Sequence, residues 1–288
     1  MPPATSRLAI DLSGSLIRVL DGTMGGPMRC GSGGLPAGAS AAGKVKEPEA
    51  VAQALRQLLA RTEITETRAM IAASDSLASF RVLHLPAGVT DKDVGAAVTH
   101  ELPLDPERMS TRWVDVPSDG AGRVVYAAAW DRALVKNVAD AVRMAGLEPL
   151  VVELKSASIA RAVSEPSCIV LDLSASPAEV VLIDHHVPQV WHSFELTSSM
   201  GEGDIAPALA APLRSMLRFY RRRQHGDFGP ASPVLVAGEQ VLPGQVLTTL
   251  ANLVQQPVQP LAAPPRVPRE VRHATYLACL GLIMRRSP

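Results

Sequence analysis

Leu8-Ala9-Ile10-Asp11-Leu12-Ser13-Gly14-Ser15-Leu16-Ile17-Arg18, near the start of the chain, and Ile169-Val170-Leu171-Asp172-Leu173-Ser174-Ala175-Ser176, in its second half, follow one plan. Each is an apolar strand that ends in Asp and runs into a turn of small residues. A tight hairpin turn offers backbone N–H groups that can cradle phosphate oxygens, and small side chains let the backbone come close. An Asp at the strand end can hold a hydrated Mg²⁺, which takes a few carboxylates and keeps its waters. Two such hairpins face to face would clamp a nucleotide's phosphates, with Asp11, Ser13, Gly14, Ser15 and Arg18 on one side and Asp172 and Ser174 on the other. A third stretch, Val234-Leu235-Val236-Ala237-Gly238-Glu239-Gln240-Val241-Leu242-Pro243-Gly244, reads as strand, glycine turn and helix start. That geometry places a nucleoside against a helix N-terminus, at Gly238 and Glu239.

The elements around these stretches alternate between strand and helix. Strands are expected at Arg7–Asp11, Leu16–Leu20, Arg68–Ala73 and Ser79–Leu85, with a loose glycine-rich hairpin or a linker over 22–43. Val51, Leu55, Leu58 and Leu59 share one face of a helix over Glu49–Arg61. Thr90 and Asp93 make a capping box that opens a helix to about Glu101. Strands at Arg112–Val116 and Arg123–Ala129, then a helix over Asp131–Met144 ended by Gly146, complete a small α/β unit. The second half reads as a short strand Leu150–Glu153, a helix Ser156–Val163, and strands Cys168–Asp172, Glu179–Ile183 and Val187–Phe194. A long helix Ile205–Gln224, a strand Pro233–Ala237, a helix Gln245–Val254 and a closing helix Arg269–Met284 follow.

Composition excludes several classes. The 288 residues are 47% hydrophobic and 19% charged, a globular balance. Lys+Arg and Asp+Glu are equal at 28, and aromatic residues are 3%, so neither an electrostatic grip on nucleic acid nor a stacking platform is expected. Cys30, Cys168 and Cys279 are far apart and odd in number, which fits a reducing compartment and no disulfide framework. The N-terminal stretch holds no secretory signal and no apolar run is long enough to span a bilayer, so a cytoplasmic protein is expected. Neither G-x-S-x-G nor G-x-x-x-x-G-K-[ST] occurs, against an α/β-hydrolase or a P-loop NTPase.

Phosphate hairpin, second phosphate hairpin and adenosine turn, in that order, resemble the actin-like ATPase superfamily. Further residues narrow the likeness. Leu85-Pro86 ends a strand, Ala145-Gly146-Leu147-Glu148-Pro149 forms a turn after a helix, and Ala160-Arg161-Ala162 lies on the next helix. Arg214–Arg223 precedes the adenosine strand, and Ala278–Arg285 closes the chain. Together these resemble the type IV pilus assembly protein PilM family over nearly the whole chain. The resemblance implies an actin-like fold of two α/β lobes around a cleft. Lobe one would run 1–166 with an inserted α/β subdomain at about 74–148, and lobe two 167–288. It implies ATP and Mg²⁺ as the ligands of the cleft, with Asp11 and Asp172 at the metal. It also implies a partner: the cytoplasmic N-terminal tail of a bitopic PilN-like inner-membrane protein, bound as an extended segment between lobe one and its insertion. Other pilus platform proteins would assemble around it at the cytoplasmic face of the inner membrane, the chain touching membrane only through partners.

This sequence departs from the family where nucleotide would bind. The first turn reads Asp11-Leu12-Ser13-Gly14-Ser15 where the family has Asp-Ile-Gly-Ser-Ser, and Arg18 replaces a usual Lys. Ser174 and Ser176 stand in the second turn at places of glycine or another small turn residue, Pro177 lacks an N–H, and the adenosine turn has Ala237-Gly238 for Gly-Gly. Only Glu202–Pro212 remains where the family carries a subdomain walling the adenine, so that subdomain is expected to be reduced or missing. Weak or absent ATP binding and a scaffold role follow. The alternatives are an active ATPase or small-molecule kinase of the actin superfamily, and a cytoplasmic platform component of type II secretion. Asp11 and Asp172 could also be ordinary turn acids, and Glu153 is a lone candidate for a water-activating base. His185, His186 and His192 read as a solvated hairpin rather than a metal site. Arg214, Arg218, Arg221 and Arg222 form a basic stripe at i, i+4, i+7 and i+8, opposite Leu213, Met216, Leu217 and Tyr220. The stripe reads either as a solvated face or as a contact for anionic lipid or an acidic partner.

Overall fold

The computed structural model describes residues 7–102, 105–118, 120, 122–196, 201–223, 228–239 and 242–285. Strands β1 (Arg7–Asp11), β2 (Leu16–Gly22) and β3 (Met28–Gly34) form an antiparallel meander, with Asp11 opposite Arg18. A two-residue-strand hairpin, β4 (Ser40–Ala41) and β5 (Lys44–Val45), leads into α1 (Pro48–Thr62). Pro48 sits in the helix's first turn, where a missing N–H costs nothing, and Val51, Ala52, Leu55, Leu58 and Leu59 bury one face. β6 (Arg68–Ala73) then pairs parallel with β1.

An inserted unit leaves the sheet there. A 3₁₀ turn at Asp75–Leu77 precedes β7 (Ala78–Leu85), α2 (Asp91–Glu101), β8 (Met109–Val116) and β9 (Arg123–Asp131). The three strands pair in the order β7-β9-β8, and Val94 and Val98 of α2 pack on Leu83, Val125, Ala127 and Ala129. The Thr90–Asp93 capping box forms as expected. Helix α3 (Arg132–Met144), capped by Asp131, returns the chain to the first sheet, where Val138, Ala141 and Val142 share a core with Leu55 and Leu58. β10 (Glu148–Leu154) pairs parallel with β6, and α4 (Lys155–Ala162) follows at once.

The second half repeats this plan. β11 (Cys168–Asp172), β12 (Ala178–Asp184) and β13 (Val187–Phe194) form a second antiparallel meander. Helix α5 (Glu202–Arg223) starts eight residues after β13, so no separate subdomain intervenes. β14 (Val234–Ala237), α6 (Gly244–Val254), β15 (Val258–Pro260) and α7 (Leu277–Ile283) complete the repeat. The sheets have matching orders, β10-β6-β1-β2-β3 and β13-β12-β11-β14-β15, each with three parallel strands and a meander. Residue Gln224, at the expected end of the long helix, and Gln240 and Val241 of the third stretch lie outside the described residues.

The closing helix is shorter than its sequence suggests. Residues 269–276 form successive turns, and helix begins only at Leu277. Gly238 N–H donates to the Ala274 carbonyl at 3.2 Å, and the His273 ring meets the Leu261 carbonyl at 2.9 Å. The Ala274 carbonyl, which would accept in the helix's first turns, is thereby committed to Gly238, and the His273 side chain is tied to the segment after β15. The short α7 is buried along its whole length and packs on α4. Those two helices fill the space between the sheets in one continuous core. Ala9, Leu20 and Met70 contribute to it from the first sheet, and Val170, Val181 and Leu235 from the second.

The α4–α7 contact depends on Gly281. A Cβ there would stand 1.8 Å from the Ser158 carbonyl oxygen, a backbone atom that cannot step aside. Gly281→Ala is expected to lower the unfolding free energy by about 3 kcal/mol, the upper range for overpacking a core. A urea titration checks it, and a loss below about 1 kcal/mol would mean that the helices can separate freely.

Candidate functional site: the interlobe turns

The two hairpin turns meet. A Cβ on Gly14 would lie 3.2 Å from Ala175 Cβ, and Ser15 Oγ donates to the Ser176 carbonyl at 3.4 Å. Arg18 is almost wholly buried, donates to the Ser174 carbonyl across the junction, and lies 3.8 Å from Asp11 Oδ2. Six of the nine residues expected at a nucleotide site, Asp11, Ser13, Gly14, Ser15, Arg18 and Ser174, are thus gathered at one junction, with Asp172 heading the Ser174 turn. Gly238 is packed against the same turn. At φ +126 it adopts a conformation that favours glycine, and a Cβ there would meet the Leu173 carbonyl carbon at 2.6 Å. Glu239 is exposed.

The groups at this junction are already engaged. Asp11 Oδ1 accepts from Ser13 N at 2.9 Å and Ser13 Oγ at 2.5 Å. Asp172 Oδ1 accepts from Ser174 N at 2.9 Å. The Ser13 and Ser174 N–H groups, one in each turn, are therefore bound to their own turn's carboxylate. The outer side of the first turn is covered by the β4–β5 hairpin, since a Cβ on Gly43 would lie 2.8 Å from the Ser13 carbonyl oxygen.

A residue that sequence reasoning missed fills the centre. Lys155, the first residue of α4, is buried, with Nζ 2.7 Å from Asp172 Oδ2 and 2.5 Å from Glu179 Oε2. Burial alone pulls its pKa down, yet the Asp172, Glu179 and Asp11 carboxylates overcome this and raise it well above the ordinary value. Asp172 stays below the usual carboxylate range: burial works against its charge, but Lys155 and Ser174 outweigh it. Glu179 is shifted upward because burial prevails there. The ammonium occupies the carboxylate oxygen that a Mg²⁺ would need. Among the described residues no cluster of three metal-ligating side chains exists. The residues present do not fit a magnesium nucleotide in this arrangement.

Two signals in the sequence pointed to these groups. A cation at the first position of a helix opposes the helix dipole, so Lys155 needs another reason to be there. Glu179 is a carboxylate inside the otherwise apolar run of β12, where every residue is buried and only Asp184, at the strand's end, is also acidic. A third missed group, Asp75, anchors α4 from the start of the insertion. Its carboxylate accepts from Ser156 N at 3.0 Å and from Ser156 Oγ. Burial nevertheless pushes the Asp75 carboxyl up to about 7. Glu153 is no candidate base. Ser158 Oγ at 2.6 Å, Arg161 at 2.8 Å and Arg285 hold it in a local ion network. His185 and His186 are exposed on the β12–β13 turn, both at positive φ.

By sequence the chain matches no protein-family model and no curated protein. By structure it matches a chain of the PilM-PilN type IV pilus biogenesis complex at TM-score 0.74 and 21% identity, over 98% of both chains. The cytoplasmic domain of EpsL, an inner-membrane component of the Vibrio cholerae type II secretion system, matches at TM-score 0.56 and 10% identity, over 98% of this chain and 96% of that one. A Bacteroides thetaiotaomicron protein of unknown function, described as having the actin-like ATPase fold, matches at 0.51 and 10%, with the same coverage. The chain has the actin-like ATPase fold. No helix among the described residues is long and apolar enough to cross a membrane.

Two outcomes follow from this geometry. Lys155→Met leaves Asp172 and Glu179 buried without their cation, and is expected to cost about 3–5 kcal/mol of stability, measured by denaturant unfolding. A cost under about 1 kcal/mol would show that the carboxylates are solvated. For Asp75, the folded state keeps a proton between the unfolded carboxylate's pKa and about 7 that the unfolded chain has released. Its contribution is therefore full at low pH and is lost as pH rises through that window. Asp75→Asn should remove this slope, a difference of up to about 4 kcal/mol between pH 4 and pH 8. Parallel pH–stability curves for both proteins would contradict it.

Proposed function

We propose that this chain is a PilM-like scaffold at the cytoplasmic face of an inner-membrane pilus or pseudopilus platform. It binds the cytoplasmic tail of a bitopic PilN-like partner and works without bound nucleotide. One observation carries this: where the open space lies. The interlobe turns, where the fold's nucleotide would sit, are filled by Lys155 and Arg18. A cavity of about 260 Å³ opens at the root of the insertion, lined by Ser76–Ser79 from the 3₁₀ turn into β7, Asp105, Arg108 and Met109 before and in β8, Asp131 at the end of β9 and Leu134 of α3. The cavity lies where β7 and β8 start, and these are the outer strands of their sheet, each with an edge that no described strand pairs. An extended tail can add main-chain hydrogen bonds to such an edge while side chains enter the pocket.

The complex of the structural neighbour, PilM with PilN, supports the choice of partner. The likeness to EpsL supports a membrane platform in the wider sense. Asp172 is neutralised by Lys155 and Glu153 is paired elsewhere, so neither the second turn's carboxylate nor the candidate base is free to act on a nucleotide's phosphate.

The test is binding of a synthetic peptide that copies the cytoplasmic tail of a PilN-like single-span protein from the same genome. Ordering a free tail opposes association, so Kd is expected in the micromolar range, about −8 kcal/mol. The affinity should be the same with and without Mg-ATP, and Ser79→Arg, which narrows the cavity, should weaken it at least tenfold, by about 1.4 kcal/mol or more. No association well above micromolar concentration would remove the proposal's support, and a tail that binds only with Mg-ATP would contradict its nucleotide independence.

A further inference from the structure

Helix α5 carries the arginine stripe, and the structure shows what lies beside it. A groove of about 440 Å³ runs between α5 and the C-terminal end of α6. Ala211, Leu217, Leu253 and Val254 give it an apolar floor, and Arg214, Arg218 and Arg221 line it from α5. All three arginines are exposed, and none of the groove's lining residues is a carboxylate. Arg214 and Arg218 make no ion pair among the described residues. With the Gln256 amide oriented to satisfy both of its ends, Arg221 Nη2 lies 3.2 Å from its oxygen, a neutral partner.

Such a row has no local purpose. Like charges four residues apart on a helix destabilise it by roughly 0.2–0.5 kcal/mol. The helix dipole welcomes cations only in the last turn, which covers Arg221 but not Arg214. The chain as a whole is neutral, so the stripe is not part of a general positive surface.

We propose that this groove is a docking site for an acidic amphipathic helix of a partner protein. Arg214 to Arg221 spans seven residues, about 10.5 Å or two helical turns. A partner helix with carboxylates at i, i+4 and i+7 would face that row while its apolar side chains cover Leu217, Leu253 and Val254. A bilayer is the weaker match, because a flat surface reaches the arginines but not the floor of a concave site. This site is separate from the tail cavity on the insertion and does not rest on it.

The probe is a synthetic helical peptide with glutamates at that spacing beside a leucine face, and a control peptide with glutamine in place of glutamate. The glutamate peptide should bind at least about tenfold more tightly at low salt, with the difference shrinking as salt is raised. Arg214→Glu together with Arg218→Glu should abolish that difference while the melting temperature stays put, since both side chains are exposed and make no ion pair among the described residues; Arg218→Gln alone should reduce it. Equal binding of the two peptides, or binding that the arginine variants leave unchanged, overturns the proposal. Arginine-dependent binding to phosphatidylglycerol vesicles with no binding of the glutamate peptide overturns it in favour of a membrane contact.

Discussion

The ammonium of Lys155 is bonded at once to Asp172 and Glu179 inside the protein, and much of the molecule is arranged to keep it there. It is the first residue of α4, and that helix is held from one side by Asp75 at its N-terminus and from the other by α7 at Gly281. The same two helices join the cores of both sheets. Arg18 adds a second tie, from the first meander to the Ser174 carbonyl of the second. In an actin-like protein a metal and a polyphosphate can hold the two turns at a fixed distance. Here two side chains of the chain itself do so.

Buried ion groups are poor sources of net stability, because taking charges out of water costs about as much as their attraction returns. What they give is a strong penalty against any arrangement that separates them. Opening the lobes would expose Asp172 and Glu179 to loss of their cation and Arg18 to loss of its carbonyl partner. The expected result is a rigid pair of lobes, with adaptable surfaces elsewhere. That division would suit the proposed scaffold, whose proposed sites at the insertion and beside α5 would rest on a frame that does not cycle. The raised pKa of Asp75 places one titrating group between the insertion and α4, so the frame's stability is linked to pH through the residue that positions Lys155.

The fold was legible because its decisive feature is a repetition of local pattern. Asp11 and Asp172 each end an apolar strand before a small-residue turn, and strand period and turn chemistry are local properties that a sequence displays directly. The capping box at Thr90 and the helix stop at Gly146 were legible for the same reason. The state of the site was harder to read. Serine for glycine in the turns signalled a weakened phosphate cradle, but what replaced the ligand came from Lys155 and Glu179, separate in sequence from both Asp residues. Pairing between distant residues leaves only indirect traces, here a cation at a helix start and a carboxylate in a buried strand. The closing helix was overextended because residues 269–276 are pinned by Gly238 and Leu261, contacts that no local pattern reveals.

If the chain's own cations stand where a magnesium nucleotide would bind, Mg-ATP should find no site between the turns. Calorimetric titration of Mg-ATP into the protein tests it most directly. The account predicts no saturable heat at nucleotide concentrations up to about 1 mM, the range that corresponds to binding weaker than about −4 kcal/mol. Stoichiometric binding with a micromolar Kd, lost in Asp11→Ala, would show that Lys155 and Arg18 yield the site to nucleotide and would contradict the account.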